Sequence, residues 1–71
     1  MPKLFSSRHI DFILTHEGFI FISQKGSHAK YRKVENGLTL TVILPMNQKE
    51  IPRGTFGSIL RQSNLAKEDF E

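Results

Sequence analysis

The sequence predicts an α+β domain of order α-β-β-β-α, and three observations carry that prediction. Apolar residues at helical spacing lie near both ends of the chain. Three short runs rich in β-branched and aromatic residues lie between them, and both joints between those runs carry turn-forming residues. Consecutive strands joined by tight turns form an antiparallel meander. A three-stranded sheet needs one covered face, and two amphipathic helices packed on that face supply it. The 71 residues read as one domain, 1–71.

Each element has a local reason. Ser6 or Ser7 can cap a first helix running from Ser7 to Glu17, whose stripe is Ile10, Ile13 and Leu14. Gly18 supplies the left-handed residue that ends it. "FIFIS" (19–23) is apolar on both parities and predicts a strand buried on both faces. "QKGS" turns the chain, with Gly26 free to take positive φ. "HAKYRKV" (28–34) alternates, and "LTLTVIL" (38–44) places Leu38, Leu40, Val42 and Leu44 on the core parity before Pro45 ends it. Between these two strands, Asn36-Gly37 suits a type I′ hairpin turn.

Pro52 suits the first turn of a second helix, with Phe56, Ile59 and Leu60 as its stripe and Asn64 as a left-handed cap. "LAKEDF" predicts a last turn that returns Leu65 and Phe70 to the core. The same patterns place Phe19, Phe21 and Phe56 in the core and leave Phe5 and Phe12 for the surface.

Composition narrows the class. Cysteine is absent, which removes disulfides and thiolate ligands and fits a reducing cytosol. No apolar run resembles a signal peptide or a membrane span, so a cytoplasmic protein without membrane association is expected. A chain this short has a marginal core, which raises the expectation of a partner. Lys and Arg total 10 against 7 Asp and Glu, a net charge of +3. From Gly18 to Val34 there is no acid, while Lys25, Lys30, Arg32 and Lys33 fall inside that stretch. Clustered positive charge of this kind is how phosphate backbones are gripped.

Strand alternation sharpens the point. In "HAKYRKV", His28, Lys30 and Arg32 share one parity, while Ala29, Tyr31 and Lys33 share the other. Tyr31 is therefore expected in the core rather than under a stacked base. The first set should occupy the face that the helices leave open. Taken alone, His28 reads as a solvated strand-end histidine, and its company on that face is what argues for chemistry. His9 and His16 are about two helical turns apart, too far for joint chelation, and read as surface residues. No set of His, Asp and Glu at ligand spacing appears, so no metal or other cofactor is expected.

At this point the sequence resembles the HicA family of toxins. The specific elements are "GF…QKGSHAKYR" (18–32) and "KEIPRGTFGSILRQSNL" (49–65), at the expected separation, within a likeness that covers nearly the whole chain. His9 stands where many members have an acid, Asn64 replaces the more usual glycine, and Gly57 falls inside the second helix, where a better helix former would be expected. None of these touches the Gly-Ser-His element. The resemblance implies a fold like a double-stranded-RNA-binding domain. It also implies the toxin of a type II toxin–antitoxin pair, acting as a metal-independent endoribonuclease on messenger RNA. The implied partners are mRNA and a cognate HicB-type antitoxin.

RNA carries its own nucleophile, the 2′-hydroxyl, so cleavage needs a proton acceptor, cations for the charged phosphorane and a proton for the leaving 5′ oxygen. Imidazole suits proton transfer near neutrality. His28 is thus the candidate acid–base residue. Lys25, Lys30 and Arg32 are candidates for holding phosphate, with Gly26 letting the backbone approach and Ser27 donating a hydrogen bond or orienting the ring. The rival reading is an RNA-binding module of the same fold without turnover, which needs the basic face but not the histidine. A third is a protein-interaction domain whose basic face meets an acidic partner.

Overall fold

The computed structural model describes residues 3–71. The chain forms α1 (Ser7–His16), β1 (Ile20–Lys25), β2 (His28–Glu35), β3 (Leu38–Pro45), α2 (Arg53–Ser63) and a closing 3₁₀ turn (Lys67–Phe70). The sheet is antiparallel throughout, in the order β1-β2-β3. The predicted α-β-β-β-α architecture with an open sheet is therefore the observed one.

Capping fixes the ends of α1. Ser6 is the cap, with extended backbone and a side chain that accepts the His9 N–H at 3.0 Å. Glu17 follows the last helical residue, and Gly18 (φ +98°) turns the chain out of the helix. At the far end, Asn64 takes φ +62° and its N–H donates to the Leu60 carbonyl, closing α2 as a left-handed cap. Pro52 stands just before α2 and offers no side-chain cap.

Both hairpins obey their turn residues. Asn36 (φ +52°) and Gly37 (φ +80°) carry the two positive φ angles that a type I′ turn requires, so β2 and β3 pair without slack from Glu35↔Leu38 to His28↔Pro45. Gly26 (φ +60°) opens the β1–β2 turn, which is also two residues long, between the paired Lys25 and His28.

Burial follows parity. Ala29, Tyr31, Val42 and Leu44 are all buried, and the pairings Tyr31↔Val42 and Ala29↔Leu44 put them on one face. Ile10 and Leu14 from α1, Ile59 from α2 and Phe70 from the closing turn join that core, together with Phe5, Phe19 and Ile51. Both helices therefore cover the same face. Phe56, Leu60 and Leu65 pack on the margin of this cluster. Each fully buried large side chain contributes roughly 1.5–3 kcal/mol.

Several expectations fail at the edges of the core. β1 is an edge strand, and none of its residues is buried on either face. Ile20, Phe21 and Ile22 are 67%, 52% and 43% exposed. A register break between Phe21 and Ser23 shifts the strand's parity at Ile22, and two short helices cannot roof all three strands. Phe21 still leans edge-on against Tyr31, with ring centroids 5.8 Å apart. Leu38, at the hairpin tip, is also exposed.

The reverse happens at the N-terminal segment. Phe5 is buried, packed against the Phe56 and Phe70 rings. His9 is not a free surface residue: it stacks on Phe5 and its Nε2–H donates to the Phe70 carbonyl. Phe12 and His16 are exposed, as expected. Among the described residues, no helix is long and apolar enough to cross a membrane.

Candidate nucleic-acid interface

The middle strand carries the candidate residues. β2 is bonded on both sides, which makes it the most constrained strand of the sheet. His28 opens it, paired with Lys25 across the tight turn and with Pro45 of β3. Cross-strand partners share a face. Lys25, His28, Lys30 and Arg32 therefore project from the side the helices leave bare, together with Ser23, Ile20, Thr41 and Ile43. His28 and Arg32 are exposed and Lys30 is half-buried. Successive positions on this face are about 7 Å apart along the strand.

The turn before His28 is held by its neighbours. The Gln24 side-chain amide donates to the Gly26 carbonyl at 3.0 Å, and the Met46 N–H donates to the Ser27 carbonyl at 2.6 Å. Space around Gly26 is open, and its positive φ accounts for the glycine. Ser27 is exposed.

Lys33 parts company with the other cations. It lies on the covered parity, with Nζ 5.8 Å from the Phe19 ring centroid and 2.8 Å from a Glu35 carboxylate oxygen. Among the described residues, that is the one ion pair. Lys25, Lys30 and Arg32 thus face solvent with their charge uncompensated by a carboxylate within 4.0 Å, and the paired face itself contains no acid.

Two anchors beneath the site escaped the sequence reading. The Tyr31 hydroxyl, on the buried side of β2 between Lys30 and Arg32, donates to the Asp11 carboxylate of α1. Burial, then the Asp11 hydrogen bond and charge, push the phenol well above its ordinary range. Ser7 is the second anchor. Almost fully buried, it donates to the Pro45 carbonyl at 2.6 Å and accepts the Gln48 N–H at 3.0 Å. Both pairs span tens of residues, so no local spacing announces them. Among the described residues, no group of three or more His, Asp or Glu gathers at metal-ligand distance.

An exposed imidazole among unpaired cations can attract an anion and exchange a proton with it. A family model described as the HicA toxin of bacterial toxin–antitoxin systems matches residues 7–65, from the first residue of α1 to just past α2. The chain belongs to the HicA toxin family. A toxin of such a system implies a cognate antitoxin. No curated protein matches the chain significantly.

Proposed function

We propose that this chain is the nuclease half of its toxin–antitoxin pair, an endoribonuclease that cuts messenger RNA with His28 as its acid–base residue. The observation that carries this reading is the placement of His28 on the bare face of the sheet, flanked by Lys25 and Lys30, with no carboxylate on that face.

In the proposed reaction the His28 imidazole takes the proton of a ribose 2′-hydroxyl. The 2′ oxygen then closes on phosphorus. The bond from phosphorus to the 5′ oxygen breaks, and that oxygen takes a proton from a neighbouring ammonium group or from water. The products are a 2′,3′-cyclic phosphate and a 5′-hydroxyl. Lys25 and Lys30 stabilise the charge that grows on the phosphorane, and Arg32 holds the next stretch of backbone. Gly26 lets the main chain approach the phosphate, and Ser27 orients the ring or the phosphate through its hydroxyl. No step routes through a metal ion.

The cognate partner, in this reading a HicB-type antitoxin, would silence the enzyme by covering the same face. The exposed Ile20, Ile22 and Val34 beside Arg32 give that cover apolar surface to hold.

A 2′-O-methylated copy of a cleavable RNA tests the chemistry. The purified chain should bind both copies and cut only the unmodified one, including in chelator. Cleavage of the methylated strand would overturn the proposed nucleophile.

A further inference from the structure

The helix layer, on the side of the sheet away from His28, holds a cavity of about 260 Å³ between the N-terminal segment and α2. Phe5, Ile51, Phe56 and Leu60 make it apolar, and its rim is basic: Lys3, Arg53 and Lys67 come from three separate segments. No carboxylate lines it, and none of these three cations has a carboxylate within 4.0 Å among the described residues. The first turn of α2 contains no acid and Pro52 gives it no side-chain cap, so the helix dipole adds positive potential at the same mouth.

Gly57 belongs to the lining. It sits in the interior of α2, where glycine costs up to ~1 kcal/mol relative to alanine. Its backbone does not demand glycine, and a Cβ there would meet only the end of the Arg61 side chain at 3.6 Å. A larger side chain would narrow the cavity. Pockets that hold drug-sized ligands measure roughly 300–1,000 Å³, so this smaller volume suits one or two inserted side chains.

We propose that this cavity docks an acidic segment of the cognate antitoxin, anchored by one aromatic or leucine side chain with carboxylates meeting Lys3, Arg53 and Lys67. Charge complementarity selects the occupant: an apolar floor inside an uncompensated basic rim on a chain of net charge +3 favours an acidic, apolar-anchored peptide. The inference rests on the toxin having a cognate partner, and not on the nuclease chemistry. It gives the antitoxin a grip remote from the bare face, so that RNA need not compete for all of the interface.

Two variants of the full chain test it against the separately purified antitoxin by calorimetry, with circular dichroism checking the fold. Gly57→Leu fills the cavity, and leucine is the better helix former. The double variant Arg53→Glu/Lys67→Glu reverses the rim, and Glu at the start of α2 complements its dipole. Each should weaken antitoxin binding by ~10-fold or more while leaving RNA cleavage unchanged, and the rim variant should also flatten the salt dependence of binding. Wild-type affinity in both variants would overturn the inference. So would a toxin that self-associates through this cavity, with self-association lost in Gly57→Leu and antitoxin binding intact. A wild-type chain that binds antitoxin through the cavity yet never cuts RNA would sink the nuclease reading alone.

Discussion

The Ser7 hydroxyl donates to the Pro45 carbonyl at 2.6 Å, and Pro45 is the residue that faces His28 across the β2–β3 ladder. The start of α1 is thereby tied to the strand end that backs the candidate site. The same hydroxyl accepts the Gln48 N–H, so one buried side chain satisfies two backbone groups. Ser7→Ala leaves both without that partner and should cost about 1–3 kcal/mol. Thermal unfolding measures it, at roughly 4–8 °C per kcal/mol for a chain this size. An unchanged Tm would mean that solvent replaces the serine without loss.

Tyr31 is the one tyrosine in the sequence, which makes its ionisation directly visible. Its phenol is raised in the fold, so the folded state prefers the neutral form. That preference stabilises the protein fully below the ordinary phenol value of ~10 and is lost as pH climbs toward the folded value. Phenolate absorbance should therefore appear later than in the unfolded chain, and stability should fall above about pH 10. Asp11→Asn removes the carboxylate charge and should bring the titration down. An ordinary titration in the wild type would contradict the buried pairing.

The open-face cations should differ from Lys33 in one measurable way. Lys30→Ala and Arg32→Ala should each reduce the slope of log affinity for single-stranded RNA against log salt by about 0.7. Lys33→Ala should leave that slope alone, because Lys33 lies over Phe19 and pairs with Glu35 on the other parity. Equal losses from all three would mean that RNA does not distinguish the two faces.

Gly57→Ala should stabilise the free chain by up to ~1 kcal/mol, since its Cβ meets nothing closer than the Arg61 guanidinium at 3.6 Å. Urea midpoints of the two chains decide it. A destabilised alanine variant would mean that α2 needs close approach at that position.

How much of this was legible in the sequence depended on the range of the interaction. "HAKYRKV" divided correctly, because alternation is local: Ala29 and Tyr31 are core, and His28 and Arg32 are exposed. Asn36-Gly37 and Asn64 also behaved as their φ preferences demand. Phe19 is buried as expected, but the rest of "FIFIS" misled, because apolar residues on both parities predict burial only where a second layer exists, and β1 lies at an edge with a register break. Phe5 was misassigned because its partners, Phe56 and Phe70, lie far along the chain. For the same reason Ser7 and the Asp11–Tyr31 pair carried no signal.

The most direct test replaces His28 by alanine and follows cleavage and binding of one RNA in parallel. Cleavage should fall by at least ~10²-fold while RNA affinity stays close to that of the wild type, as befits an acid–base residue whose neighbours hold the phosphate. An alanine variant that cuts as fast as the parent would leave a basic RNA-binding face with its chemistry elsewhere, and would end the proposal for His28.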